Sequence, residues 1–280
     1  MPETFRLASL NILHGEDTID QRITLAIEEL HRLQPDALLL QEVEERQPDT
    51  LRRIADALGY HGLIHNFGLH TEGFHSGTAI LSRTPFDKVT ELEQVGRQPG
   101  QMFNNPPITA GTVDKLGWKI NLISAHLAWG TYAETIRLRQ ARIIDRHARD
   151  LVEAEPGTLV LLGGDFNALP DGAVNSYLSG RSVVDGESTL WVDAFDMAGH
   201  PSSAITSRTD NETAWATARL FGVPHPEMMP GRRIDYLKAH GYVFGRTGHP
   251  IGFGRWGTTE TEDGIGVSDH YGIWADFLLG

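Results

Sequence analysis

Cysteine is absent from the 280-residue chain, and so is any apolar run of membrane-spanning length. The first absence excludes a disulfide framework and thiolate-rich zinc or copper sites. The second argues against a membrane-spanning protein, and the residues before the first predicted strand lack the apolar core of a signal peptide. Because proteins of a reducing interior need no disulfides, we expect a cytoplasmic protein without a membrane anchor.

Basic residues are fewer than acidic ones, at 24 Lys and Arg against 37 Asp and Glu, which gives a formal net charge of −13. This balance argues against a protein that holds nucleic acid by a broad basic surface. A nuclease stays possible, since a bound metal ion offsets nearby acids. Linkers rich in Pro, Ser or Gly and internal repeats are also absent. We therefore expect residues 1–280 to form a single domain and the protein to be a monomer.

Several short apolar runs are typical of buried strands, because apolar residues dominate them and glycine punctuates their ends. The runs are residues 5–13, 37–42, 121–126, 158–162, 232–237 and 271–277. Polar side chains lie within these runs or close to their ends. They are Asn11, Glu42, His126, Asp165, Asn167, Asp235, Asp269 and His270. Polar groups at strand ends are a common way for a rigid sheet to present chemistry to solvent.

The chemistry of this set indicates a hard metal ion. Carboxylate and amide oxygens with two imidazoles, in a chain without cysteine, favour Mg²⁺ or Mn²⁺ together with acid and base groups. We therefore predict a metal-dependent catalytic site at the ends of several strands.

Three helices are predicted between the strands. A capping box at Thr18 opens the first, which runs to about Gln34, and the second covers residues 49–58. A second capping box at Thr131 opens the longest helix, which ends before Pro156. Strands from both halves of the chain with helices between them predict an α+β fold, a four-layer sandwich of two packed sheets flanked by helices.

The strand-end motifs follow one another in a specific order. They are Ser9-Leu10-Asn11-Ile12, Leu40-Gln41-Glu42-Val43, Gly77-Thr78-Ala79-Ile80-Leu81-Ser82-Arg83, Ser124-Ala125-His126-Leu127, Gly164-Asp165-Phe166-Asn167, Arg233-Ile234-Asp235-Tyr236 and Ser268-Asp269-His270. In this order the chain resembles the endonuclease/exonuclease/phosphatase superfamily, also called DNase I-like. The resemblance implies the same αββα sandwich, with mixed sheets and an active site in the cleft at one edge.

The resemblance also implies a role for each metal-site residue. Glu42 corresponds to the family's direct metal ligand. Asn11 is expected beside the metal as a ligand or a hydrogen-bond donor, and Asp269 as a second ligand or a neighbour of the ligands.

The remaining residues are expected to act on water and phosphate. In the family, the pair matched by Asp165 and Asn167 orients or deprotonates the attacking water. Asp235 and His270 are expected to form a carboxylate–imidazole pair, with His270 either a general base or a protonated phosphate clamp. For Asp235, a structural ion pair with Arg232 or Arg233 is the alternative.

His126 distinguishes branches within the family. A His after this strand is similar to DNase I, deadenylases, sphingomyelinases and inositol phosphatases rather than to apurinic-site endonucleases. Base-excision repair is therefore disfavoured. His126 becomes a candidate phosphate ligand or acid for the leaving group.

Aromatic residues near the predicted cleft point to the substrate. Trp129 and Trp256, with Arg255 beside the latter, can stack on bases and supply charge. They favour a nuclease or nucleotide phosphodiesterase. The alternatives are a phosphatase or phospholipase C-like hydrolase of inositol or lipid phosphoesters, an enzyme for tyrosyl–DNA adducts, and a non-catalytic binding protein on the same fold. The three histidines at positions 65, 70 and 75 are expected in a polar surface loop.

Overall fold

The computed structural model describes residues 2–15, 18–99, 101–130, 132–199 and 203–280. Within these residues, twelve strands, numbered in chain order, form two six-stranded sheets. The first sheet has the spatial order β11 (Pro250–Trp256), β12 (Gly272–Leu279), β1 (Glu3–Asn11), β2 (Ala37–Glu44), β4 (His75–Ser82) and β3 (Gly62–Leu69). The second has the order β5 (Phe86–Glu91), β6 (Thr109–Lys115), β7 (Trp118–His126), β8 (Leu159–Asp165), β10 (Asp235–His240) and β9 (Val192–Asp193). Both sheets are mixed, because β1 runs parallel to β2 and β7 runs parallel to β8 while their other neighbours are antiparallel.

Helices α1 (Ile19–Leu33) and α2 (Pro48–Leu58) cover the outer face of the first sheet, and α3 (Glu134–Ala154) and α4 (Ala173–Leu178) cover that of the second. The short α5 (Ala194–Ala198) packs against β10 and β11 beside the core between the sheets. Helix α6 (Glu212–Leu220) is followed by a 3₁₀ turn at Pro226–Met228. Apolar residues of α1 and α2, such as Ile23 and Ile54, share a cluster with Leu38 of the first sheet. Ile144 of α3 and Val160 of the second sheet share another. The predicted four-layer αββα sandwich is confirmed.

The layer between the two sheets changes character along the strands. On β7 the side chains that face it are first Leu122, then Ser124, then His126 at the strand end. Ser124 is fully buried and accepts a hydrogen bond of 3.0 Å from Gln41 of the first sheet. β1 and β8 follow the same progression from apolar through small or polar to ligand-type residues. The apolar core thus gives way to a polar layer directly beneath the candidate site.

Helix ends agree with the sequence better than helix starts do. Gly59 closes α2 in the left-handed conformation, with φ of 66°, and α1 ends at Leu33. The predicted cap at Thr18 is wrong: its backbone is left-handed (φ 65°) and its side chain makes no capping bond. A capping hydroxyl reaches the helix amides from an extended backbone, and Thr18 lacks one. The other predicted cap, Thr131, lies outside the described residues, and α3 begins at Glu134.

Strand β10 begins three residues later than the predicted run of residues 232–237, with Asp235 as its first residue. No helix in the described part of the chain is both long and apolar enough to cross a bilayer.

Candidate active site

Strand register places three of the predicted residues side by side. His126 pairs with Asp165 across β7 and β8, and Asp235 pairs with Asp165 across β10 and β8. Residues paired across a sheet have side chains on the same face. The three side chains therefore form a row at one level of the second sheet, facing the first.

Glycine at position 164 permits this close packing. Its φ is +137°, and a Cβ added there would lie 1.9 Å from the carbonyl oxygen of Ala125. That conformation and that separation are both available only to glycine. The Gly-Asp pair is thus the means by which β8 brings Asp165 against the end of β7.

On the first sheet, Glu42 occupies a β-bulge. The pairing of β2 with β4 shifts between Gln41 and Val43, and Glu42 has a left-handed φ of 59°. A left-handed conformation at a residue with a long side chain costs about 1–3 kcal/mol and is typical of functional sites. The bulge turns the Glu42 carboxylate out of the strand alternation toward the cleft.

Asn11 connects the two sheets. Its Nδ2 donates to Glu42 Oε1 at 2.8 Å and to Asp165 Oδ2 at 3.2 Å. Its Oδ1 accepts a hydrogen bond from the backbone N–H of Leu13 at 3.0 Å. This orientation makes Asn11 a donor to the carboxylates and favours that role over direct metal ligation.

Glu42 is held ionised by its surroundings. Its Oε2 lies 2.5 Å from Nδ1 of His14 and accepts from the His14 backbone N–H at 3.0 Å. Burial alone would raise the pKa of Glu42, but the hydrogen bond and charge of His14, with further help from His126 and Asn11, hold it well below the ordinary value. Burial likewise opposes ionisation of His14, yet the contact with Glu42 raises the pKa of His14 to about 9.

Asp235 and His270 form the expected pair. Asp235 Oδ2 lies 2.9 Å from His270 Nδ1, and both residues are buried. Burial would lower the pKa of His270, but the charges of Asp235 and Asp165 raise it well above the ordinary value. Among the described residues, Asp235 forms its ion pair with His270 rather than with Arg232 or Arg233, and Arg233 binds Asp193 and Asp196.

Asp165 lies at the centre of the site. Its Oδ2 is 3.6 Å from His126 Nε2 and 3.8 Å from His270 Nε2. Its Oδ1 accepts from the backbone N–H of Asn167, which has a left-handed φ of 49° and donates its own Nδ2 to Leu127. Burial raises the pKa of Asp165, and the charge of Asp235 adds to this effect while the two histidines oppose it.

Oxygen donors for a cation face this space from both sheets. One carboxylate oxygen each from Asp165 and Asp235 and one nitrogen of His270 lie within 4.8 Å of one another. Asp269, beside His270, accepts from Ser268 Oγ at 3.2 Å, and burial raises its pKa. Ser268 Oγ also donates to the carbonyl of Asn11 at 2.7 Å, which ties the Ser-Asp-His motif to the end of β1.

The two predicted stacking tryptophans differ in their surroundings. Trp129, three residues after His126, is 42% exposed. The prediction that Trp256 stacks on substrate is wrong, because Trp256 is only 3% exposed and its Nε1 donates to the carbonyl of Ile273. Its indole occupies the space above Gly272, where an added Cβ would lie 2.2 Å from the ring. Arg255 lies with its guanidinium 4.1 Å from the Tyr271 ring centroid and donates to Ile205.

Two residues of the site escaped the sequence analysis. One is His14, whose position three residues after Asn11 at a strand end was the available signal. The other is Arg22 of α1, which is 2% exposed and donates to the carbonyls of Ile12 and Leu13. It thereby holds the loop that carries His14. Burial lowers the pKa of Arg22 against the opposing charges of Asp269, Glu42 and Glu44. Nothing in the local sequence of an amphipathic helix marks such a residue.

The histidines at positions 65, 70 and 75 lie on the hairpin formed by β3 and β4. His65 belongs to β3 and His75 begins β4, so the predicted surface loop is wrong for both. His70 lies in the turn between these strands and stacks on Phe74, with ring centroids 4.4 Å apart. The alternation of a hairpin was hidden by the glycines and histidines that interrupt its apolar pattern.

Comparison with known proteins connects this geometry to a family. The sequence profile of the Endonuclease/Exonuclease/phosphatase family matches residues 8–270. The chain is 26% identical over 186 residues to a 5'-tyrosyl-DNA phosphodiesterase of Caenorhabditis elegans, an alignment that covers 66% of this chain and 47% of that protein. The chain thus spans about half the length of that relative.

Solved structures share the fold. D. rerio TDP2 complexed with single strand DNA product superposes with a TM-score of 0.70 at 21% identity, over 98% of both chains. An endonuclease/exonuclease/phosphatase family protein from Bacteroides thetaiotaomicron superposes with a TM-score of 0.68 at 14% identity, over 100% of this chain and 99% of that one.

Proposed function

The chain belongs to the Endonuclease/Exonuclease/phosphatase family, and from that membership we propose that it is a divalent-metal-dependent phosphodiesterase, a nuclease or nucleotide phosphodiesterase. The observation that carries the proposal is the meeting of Glu42, Asp165 and the Asp235–His270 pair at one end of both sheets. Asn11 joins the two halves by donating to Glu42 and to Asp165.

The donor set fits Mg²⁺ or Mn²⁺. Glu42 is ionised and turned out of its strand by the bulge. Asp269 adds a second carboxylate from the Ser268-Asp269-His270 motif. These two residues would hold the ion, with Asn11 beside them. When bound, such an ion supplies positive charge that neutralises the phosphate and the leaving oxygen. Carboxylate oxygens are the ligands that both ions prefer.

Different side chains then orient the water, accept its proton and protonate the leaving oxygen. Asp165 and Asn167 orient the attacking water, and Asp165, whose pKa burial raises, accepts its proton. Asp235 fixes His270 through Nδ1, so that Nε2 faces Asp165 and the reacting phosphate. We assign His270 in its protonated form to the phosphate oxygens, whose charge grows in the transition state. His126, 3.6 Å from Asp165, donates a proton to the leaving oxygen.

A nucleotide-containing substrate agrees with the exposed Trp129 beside His126. The named relatives, a tyrosyl-DNA phosphodiesterase and a structure with single strand DNA product, support the same class. Arg255, which lies against the Tyr271 ring, remains our proposed contact for substrate charge. We further propose a monomeric, cytoplasmic enzyme formed by a single domain. An inositol or lipid phosphoesterase is the alternative, and a binding protein without turnover is disfavoured because every expected catalytic position is filled.

Hydrolysis of bis-nitrophenyl phosphate tests the proposal without assuming a substrate. We expect nitrophenol release with Mg²⁺ or Mn²⁺ and none in chelator. Glu42→Gln should raise the metal concentration required for half-maximal rate while the protein stays folded. Glu45→Gln, at an exposed position three residues along, is the matched control and should behave as wild type. Full activity of Glu42→Gln in chelator would refute the metal assignment.

A panel of substrates then narrows the class. It comprises oligonucleotides, nucleotides, a 5'-tyrosyl oligonucleotide, inositol phosphates and lipid phosphoesters, each assayed with both ions. Preference for an inositol or lipid phosphoester would establish the alternative function.

A further inference from the structure

Six rings form a continuous line of contacts that begins at the candidate metal site. We call it the aromatic row, and its members are His14, Phe74, His70, Phe103, Trp129 and Phe221. Neighbouring ring centroids lie between 4.4 and 5.6 Å apart. His14 is in contact with Glu42, so the row starts at a residue of the site.

The rings come from segments that are distant in sequence. Phe74 and His70 lie in the turn between β3 and β4, and Phe103 lies in the segment before β6. Trp129 follows β7 and packs on Phe103 at 5.3 Å. Contacts between such separate segments indicate a surface assembled by the fold rather than a local run of apolar residues.

Phe221 completes the row from the far side of the site. It stacks on Trp129 with centroids 5.4 Å apart and planes inclined by 23°, and it is 52% exposed. It directly follows α6, whose N-cap Asn211 donates to the carbonyl of Ser268 next to the Asp269–His270 motif. The α6 segment therefore reaches from the His270 side of the site to the His126 side. It carries none of the proposed catalytic residues.

The two outer rings, Trp129 and Phe221, are 42% and 52% exposed, and the other four rings of the row are half-buried. Exposed aromatic faces are costly to leave in water without a partner. Single-stranded nucleic acids bind such surfaces because every unpaired base has a face to stack, and each base–aromatic stack contributes about 1–3 kcal/mol. In a duplex the same faces are already stacked on neighbouring base pairs. The row thus distinguishes unpaired strands from paired ones.

The net charge of the chain indicates that strand binding cannot rest on a broad basic surface. The chain has a formal net charge of −13, so attraction of phosphates by a broad basic surface is weak. Arg46 lies 4.6 Å from the Phe74 ring centroid, and its guanidinium is bound to the carboxylate of Glu44. Binding along the row would therefore rest mainly on stacking.

Resting on the proposed phosphodiesterase function, we propose that the aromatic row is a binding track for an unpaired polynucleotide strand that leads away from the scissile phosphate. Phe221 forms its far end and acts as a specificity-determining residue. Mononucleotides and base-free esters reach only the catalytic end of the track. Longer unpaired strands also reach Phe221.

The test is a comparison of kcat/KM between a substrate with unpaired bases and substrates without them. We expect Phe221→Ala to lower kcat/KM for a single-stranded hexanucleotide about 10-fold, the equivalent of one stacking contact. The same variant should hydrolyse bis-nitrophenyl phosphate and a duplex as wild type does. Leu220→Ala is the matched control, because Leu220 is 87% exposed, adjoins Phe221 and contributes no ring. It should leave all rates unchanged.

Binding separates this inference from the catalytic proposal. Fluorescence anisotropy of a labelled unpaired oligonucleotide in chelator measures strand affinity without turnover, and Phe221→Ala should weaken it by a similar factor. Equal losses on the base-free ester and the hexanucleotide, or unchanged strand affinity, would overturn the track. A wild-type protein that binds the strand but hydrolyses no phosphodiester with either ion would overturn the proposed function and leave the track supported.

Discussion

Two aspartates of the second half of the sandwich are equally buried and have opposite surroundings. Asp145 of α3 is 1% exposed and Asp165 of β8 is 2% exposed. Asp145 accepts hydrogen bonds from Arg149, Tyr177, Thr189 and Trp191. Burial would raise the pKa of Asp145, but these donors hold it below its ordinary value.

Asp165, in contrast, meets few donors and another acid. A backbone N–H and one amide group donate to it, and two imidazole nitrogens lie 3.6 and 3.8 Å away, beyond hydrogen-bond distance. Asp235 lies across the strand pair, and burial raises the pKa of Asp165 although the two histidines oppose this effect. A buried carboxylate with insufficient donors destabilises the fold. This difference distinguishes a structural residue from a residue of the site. The hydrogen-bonding capacity of Asp145 is filled by protein donors, whereas Asp165 can still bind a proton, a cation or a substrate.

Removal of the His270 imidazole should give the largest effect on the rate. We expect His270→Ala to lower kcat for bis-nitrophenyl phosphate by about three decades or more at saturating metal, because the phosphate loses its cationic partner. Asp235→Asn should reproduce part of this loss. The double variant should be little worse than His270→Ala alone, since the two residues act as a unit.

Steady-state rates of the four proteins in this double-mutant cycle supply the measurement. Circular dichroism of each variant controls for folding. Losses that add across the cycle would show that Asp235 contributes independently of His270.

The sequence allowed a prediction for Asp165 but none for the surroundings of Asp145. Asp165 lay after a strand-like apolar run and inside a motif, so its place at a strand end was predictable, as were those of Glu42 and His270. The periodicity of apolar residues and the order of the motifs were therefore enough to predict much of the sandwich and of the candidate site. The donors of Asp145 come from three segments, and no local pattern joins them.

The same limit explains the errors at the substrate side. Trp256 was predicted to lie exposed near the cleft, but Gly272 of the neighbouring strand makes room for its indole. Phe221 attracted no prediction, because its stacking on Trp129 depends on where α6 packs. Side-chain exposure is decided by contacts distant in sequence, whereas strand ends are decided locally.

The next prediction tests the satisfied aspartate. Asp145→Asn should lower the free energy of unfolding by about 2–4 kcal/mol, because the partners of Asp145 are all donors and an amide nitrogen in their midst adds another donor. Urea denaturation measures the change. Asp150→Asn, at an exposed position on the same helix, should change stability little. Activity per folded molecule should be retained in both variants, and a lost activity would mean that α3 is coupled to the site.

For Asp165, which has fewer hydrogen-bond donors, we expect a change in the free energy of unfolding of the opposite sign. In chelator, Asp165→Asn should raise the free energy of unfolding by about 1 kcal/mol, since it removes a buried charge next to Asp235, although it abolishes most turnover. Saturating Mg²⁺ should shrink this gain, because the ion stabilises the folded wild type by binding it. A loss of stability in chelator would mean that Asp165 is as well satisfied as Asp145.

The smallest effect is the dependence of the Asp145 contribution on pH. A carboxyl whose pKa is lower in the folded than in the unfolded chain stabilises the fold above its unfolded pKa, and this stabilisation is lost as the pH falls through its folded pKa. The ordinary value for Asp is 3.8. The difference in unfolding free energy between wild type and Asp145→Asn should therefore stay constant from neutrality to about pH 5 and shrink at lower pH. Urea denaturation at a series of pH values measures it, with Asp150→Asn as the flat reference. A difference that grows as the pH falls from neutrality toward 5 would place the folded pKa of Asp145 above its ordinary value, and the contrast between the two buried aspartates would then be lost.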